Sequence, residues 1–101
     1  MVVKENMLAL TPDFRRKLKA RAHALKPVVW IGAAGLSDSV VNELDQRLKS
    51  HELIKIKVAS DDGEIRNALL EKICGCLNAA PVQHIGKMLV IYRPEPEKIK
   101  N

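Results

Sequence analysis

Val28-Val29-Trp30-Ile31-Gly32-Ala33-Ala34-Gly35-Leu36 runs an apolar strand into a Gly-x-x-Gly turn, and Ser37-Asp38-Ser39 then opens a helix. A strand, a glycine turn and a helix N-terminus together gather unpaired backbone N–H groups and a positive dipole end at one corner. The glycines lack a Cβ, so another backbone can come close. Phosphate is the usual guest at such a corner. By itself the motif is more often only a strand-to-helix turn, so its surroundings decide how it is read.

Upstream, Thr11-Pro12-Asp13 combines an N-cap hydroxyl, a proline at the first helical position and an acid in the first turn. The helix it opens is predicted over about Pro12 to Ala24 and ends before Lys26-Pro27. Phe14, Leu18, Ala22 and Leu25 form its apolar stripe. Arg15, Arg16, Lys19 and His23 form a basic flank, with Lys17 and Arg21 on the other edge. Val28 to Ile31 is a continuous apolar run of the kind buried on both faces.

Downstream, Ser37 caps a helix expected over Asp38 to Lys49, with Val40, Val41, Leu44 and Leu48 inward. His51-Glu52 lead into a strand, Leu53 to Ala59. Its alternation sets Ile54, Ile56 and Val58 on one face and Lys55 and Lys57 on the other. Ser60-Asp61-Asp62-Gly63 is a turn and cap. The helix expected over Glu64 to Leu77 points Ile65, Leu69, Ile73 and Leu77 inward. Pro81–Ile85 and Met88–Arg93 are strands of a hairpin joined by Gly86-Lys87, and Pro94-Glu95-Pro96 opens a frayed tail. The order is α-β-α-β-α-β-β, an α/β chain of the α+β two-layer kind. Right-handed crossovers make the connected strands parallel, with a final antiparallel hairpin. Their spatial order does not follow from sequence.

The chain has 101 residues, enough for one core. The expected division is an N-terminal extension (1–10), one domain (11–93) and a tail (94–101). Lys and Arg number 17 against 12 acids, a net charge of +5. Seven of those cations and only two acids fall in residues 1–30, so the excess lies just before the glycine turn. A basic surface beside a phosphate-accepting loop suggests a polyanion, most often nucleic acid. Cys74 and Cys76 are one residue apart, point to different faces of a helix, and form neither a redox motif nor half of a zinc site. No metal or cofactor is expected. No apolar run reaches the length of a membrane span and no secretory signal is evident, so a cytoplasmic protein is expected. Of the three aromatics, Phe14 and Trp30 read as core residues. A base-stacking sheet platform is therefore disfavoured, and binding is expected to rest on charge, backbone and shape.

Longer segments now carry a resemblance. They are Leu18…Ala22-His23-x-Leu25-Lys26-Pro27-Val28-Val29, Ile31-Gly32-x-x-Gly35-Leu36, and His51-Glu52-Leu53-Ile54-Lys55-Ile56-Lys57. The hairpin Val82-Gln83-x-Ile85-Gly86-Lys87-x-Leu89-Val90-x-Tyr92-Arg93 completes the set. In this order and spacing the chain resembles the single-domain CRM proteins, the YhbY-type RNA-binding proteins related to plant chloroplast splicing and ribosome-maturation modules. The resemblance implies a mixed four-stranded sheet with packed helices, similar to the C-terminal domain of translation initiation factor 3. It also implies RNA binding and, for bacterial single-domain members, association with precursors of the large ribosomal subunit. Gly32-Ala33-Ala34-Gly35 matches the family's RNA-contact loop, where many members carry a Lys or polar residue in place of these alanines. Backbone N–H groups and flanking cations would therefore make the contact. His23, Lys26, Lys55, Lys57, Lys87 and Arg93 are candidate neighbours, and Arg15 and Lys19 join them from the basic helix.

The expectation is a monomeric, non-catalytic protein whose partner is RNA, rRNA of a large-subunit precursor, with no membrane and no small-molecule substrate. The alternative is a protein-interaction module whose basic face docks an acidic partner. An enzyme would have to work through His23 or His51-Glu52. Neither has an obvious nucleophile or metal set nearby in sequence, and adjacent strand residues face opposite ways.

Overall fold

The computed structural model describes residues 10–94. The expected extension before Leu10 and the tail beyond Pro94 lie outside the described residues. The elements in chain order are α1 (Pro12–His23), β1 (Pro27–Ile31), α2 (Asp38–His51), β2 (Leu53–Val58), α3 (Gly63–Leu77), β3 (Ala80–Ile85) and β4 (Met88–Tyr92).

Each helix opens where its sequence provides a cap. Thr11 Oγ1 accepts from the Phe14 N–H at 3.1 Å, and Ser37 Oγ from the Val40 N–H at 3.2 Å. Asp62 Oδ1 accepts from the Glu64 N–H at 2.9 Å. These side chains satisfy donors that a helix start leaves unpaired. At their ends, α2 and α3 turn on two non-glycine residues of positive φ, Glu52 (+65°) and Asn78 (+58°). The Glu52 N–H bonds the Leu48 carbonyl at 2.9 Å, so α2 passes into β2 through this one residue. His51 is therefore the last residue of a helix and not the lead of a strand.

The four strands form one mixed sheet in the order β1-β2-β4-β3. β1 and β2 are parallel, and β4 is antiparallel to both its neighbours. β4 thus inserts between β2 and its own hairpin partner, leaving β1 and β3 as edges.

On one face, Val29, Ile31, Ile54, Ile56, Val58, Leu89 and Ile91 pack against Leu44 and Leu48 of α2 and Leu70, Ile73, Cys74 and Leu77 of α3. On the other, Leu53, Val82 and Val90 pack against Leu18 and Ala22 of α1. The helices are therefore divided two and one, and α1 adds a partial third layer to the expected two. α1 rests on β2 and β3, so among the described residues the second face is covered there and open toward β1, where Trp30 is exposed.

Three expectations about burial need correction. Val28–Ile31 is not buried on both faces: Val29 and Ile31 point into the core, but Trp30 is 71% exposed, because the helix that could cover it sits elsewhere. Ile65 is exposed as well, and Leu70 and Cys74 complete the inner face of α3 instead. Phe14 lies at the rim, edge-on against Tyr92 with ring centroids 5.4 Å apart. The two thiols part as the helical spacing requires, Cys74 buried and Cys76 exposed. Burial pushes the Cys74 thiol up to about 12.

Candidate nucleic-acid interface

β1 delivers the chain to the glycine turn at the same end of the sheet where β2 finishes. The Gly35 N–H closes the turn on the Gly32 carbonyl at 3.0 Å. Gly35 has a φ of +83°, a conformation that favours glycine. A Cβ placed on Gly32 or Gly35 would meet nothing within 4 Å, so the turn stands clear of the fold. Ala33 and Ala34 are exposed upon it. The start of α2 is partly occupied by its own Ser37 cap and by Asp38 in the first turn. The open backbone of this corner is therefore on its glycine side. Beneath the turn lies a mostly apolar cleft of about 310 Å³, floored by Ile31, Val58 and Leu69.

At the opposite end of β1 a second cleft, of about 430 Å³, opens between the end of α1 and the start of β2. Arg21, Lys26, His51 and Lys55 line it. Lys55 is the register partner of Pro27 and Lys57 that of Trp30. The two lysines share the open face, as their alternation required. Arg21, Lys26, Lys55 and Lys57 thus follow β1 from its first residue toward the glycine turn. At about 3.3 Å per residue, the strand from Pro27 to Trp30 carries the stripe over roughly 10 Å.

Residues 10–93 match the CRS1 / YhbY (CRM) domain family. The chain belongs to that family. A Pseudomonas aeruginosa relative named as a probable RNA-binding protein is 40% identical over 94 residues, covering 93% of this chain and 90% of its own length. A Haemophilus influenzae relative named as an RNA-binding protein is 43% identical over 91 residues, covering 90% of this chain and 92% of its own. The solution structure of a hypothetical Staphylococcus aureus protein superposes with a TM-score of 0.78 at 32% identity, covering 86% of this chain and 91% of that one.

In this CRM domain the remaining candidates do not gather at the stripe. Arg15 hydrogen-bonds the Pro81 carbonyl through Nη1, which sets it beside β3, the far edge of the sheet. Lys19 shares that flank of α1 in a shallow hollow with Arg15 and Arg16. Arg16 is paired with Asp13 at 2.9 Å. His23 is exposed at the last turn of α1. The edge of α1 that turns toward Lys26 and Lys55 carries Arg21 instead. Its position on the helical wheel, opposite Arg15 and Lys19 across the apolar stripe, was the available signal.

Lys87 sits at the hairpin tip near the end of β2, where its carbonyl accepts from the Val58 N–H at 2.8 Å. Its ammonium is paired with Asp61 at 2.6 Å. The hydrogen bond from Lys87 and then its charge hold the Asp61 carboxyl below the usual range. Lys87 therefore brings little net charge to that corner.

Arg93 requires a correction. It follows β4 at the end of the sheet away from the glycine turn, where Tyr92 pairs with Leu53. Its side chain is 17% exposed, and its Nη1 lies 2.9 Å from Asp45 Oδ1. It also donates to the Leu77 carbonyl at 3.0 Å and the Asp45 carbonyl at 3.2 Å. Arg93 ties the middle of α2 and the end of α3 to the sheet, away from the loop.

Proposed function

We propose that this chain is a non-catalytic RNA-binding protein that docks on rRNA of large-subunit precursors during ribosome assembly, in the cytoplasm. The observation that carries the proposal is the line of Arg21, Lys26, Lys55 and Lys57 along β1, ending at a glycine turn that projects into open space. The relatives' names as RNA-binding proteins support the same reading. In this mechanism the backbone of Gly32 to Gly35 approaches the sugar-phosphate chain while the four cations neutralise phosphates. Such contacts position RNA and carry little sequence information, so specificity rests on rRNA shape.

Four phosphates neutralised on single-stranded RNA correspond to a log–log salt slope of about −3. Gly35→Asp adds bulk and negative charge where the backbone must approach, and is expected to abolish RNA binding with circular dichroism near that of the parent. Ala33→Lys adds a cation on the same turn and is expected to tighten binding. If both variants fold and bind as the parent does, the turn is only a turn. For the assembly role, the parent should sediment with large-subunit precursors from cells and Gly35→Asp should not. A parent that binds RNA in solution yet stays in the free fractions overturns that part.

A further inference from the structure

Trp30 is the only tryptophan of the chain, and 71% of its surface is exposed. A single exposed apolar side chain means little; its neighbours make this one informative. Strand register places Trp30 beside Lys57, Lys57 beside Met88, and Met88 beside Ile85. These four residues form one row across all four strands, on the part of the second face that α1 does not reach. Ile85 is itself 55% exposed. In the adjacent row Pro27, Lys55, Val90 and Gln83 are register partners. Neither row holds an acid. The row begins two residues before Gly32, so anything held by the turn passes over it.

We infer that Trp30 is a stacking platform for an unpaired nucleobase of the RNA strand that the glycine turn and the β1 cations engage, with Lys57 holding the phosphate beside that base. The inference rests on the RNA-binding reading and deepens it, since it selects single-stranded over duplex RNA at this end of the interface. An aromatic face alternating with cations suits nucleic acid: bases stack on any π-face while Lys meets the backbone. An apolar protein partner would leave Lys55 and Lys57 without counter-charge in the contact.

The test uses the full chain, a short oligouridylate as single strand and a blunt duplex of similar length. Trp30 is its own reporter, because no other tryptophan contributes emission. Stacking is expected to quench that emission as oligouridylate saturates. Trp30→Ala should lose roughly 5- to 150-fold in oligouridylate affinity, the range that stacking one base spans, with its salt slope unchanged. Trp30→Phe should recover most of the loss, and duplex affinity should move little in either variant. Lys57→Gln should instead flatten the slope by about 0.7. Parent-like affinity in Trp30→Ala, while Gly35→Asp abolishes binding, overturns the platform and leaves the RNA-binding reading standing. A parent that binds neither RNA overturns both. Emission that depends on protein concentration, with Trp30→Ala abolishing a dimer but not RNA binding, makes the row a self-association surface and overturns the inference.

Discussion

The two faces of this sheet are built from alternate residues of the same four strands, yet they meet different neighbours. Along β2, Ile54, Ile56 and Val58 are sealed under α2 and α3, while Leu53, Lys55 and Lys57 face the other way. On that second face α1 covers Leu53, Val82 and Val90 and leaves the β1 side open. An α-helix of 12 residues is about 18 Å long and 10 Å across, and one such helix cannot roof four strands. The difference teaches where each kind of substitution should register: one face stores stability, and the other has surface available for binding.

The sharpest way to break that comparison is to change adjacent residues of β2. Ile56 is fully buried, and Ile56→Ala is expected to cost about 2–5 kcal/mol through lost burial and a cavity. Lys57→Gln, one residue on, should change stability by less than about 0.5 kcal/mol. Urea unfolding of both variants checks this. Equal losses would mean that the uncovered part of the second face, where Lys57 lies, also belongs to the core.

Next in size is the clamp that closes the first face at its far end. Arg93→Gln removes the charged donor from Asp45 and strips bonds from two carbonyls, which should cost about 1–3 kcal/mol at neutral pH. The hydrogen bond from Arg93 holds the Asp45 carboxyl below its ordinary 3.8, burial opposes this, and the charges of Arg93 and Lys49 add to it. A carboxyl lowered in the folded state contributes fully above its unfolded value and loses that contribution as pH falls through the folded one. The gap between parent and Arg93→Gln should therefore be widest near neutrality and shrink on acidification below about pH 3.8. RNA affinity of the folded variant should match the parent.

The two flanks of α1 sharpen the comparison within the open face. Replacing Arg21 and Lys26 together by Gln should weaken RNA binding and flatten the salt slope by about 1.4, two phosphate contacts' worth. Replacing Arg15 and Lys19 should leave the slope near that of the parent, because Arg15 is turned to Pro81 at the β3 edge. The reverse result would move the interface to that edge. The smallest effect concerns the thiols. At neutral pH a thiol reagent should label Cys76 alone, since Cys74 is buried with its thiol pushed up to about 12. Cys76→Ser should leave both stability and RNA affinity unchanged, measured by urea unfolding and by titration.

Features settled by neighbours within a few residues were legible from sequence. Thr11, Ser37 and Asp62 cap the helices because each hydroxyl or carboxylate reaches a backbone N–H two or three positions ahead. The Gly32–Gly35 turn and the shared face of Lys55 and Lys57 follow from backbone geometry that hardly depends on what lies beyond. The pattern also sorted Val40, Leu44, Leu48 and Ile56 inward, since apolar periodicity marks the side that seeks cover. It could not say which side would obtain cover. That depended on the order β1-β2-β4-β3, which leaves β1 at an edge, and on α1 settling over β2 and β3. Trp30 reads as a core residue in its run and is exposed because its strand lies beyond the reach of that helix. Arg93 reads as one more cation and is a clamp because its partner Asp45 is 48 positions away in sequence. Arg15 is turned from the stripe by a carbonyl 66 positions away. Local geometry chose the elements and their faces; contacts between residues far apart in the chain decided which of those faces were closed and which cations were left at the surface.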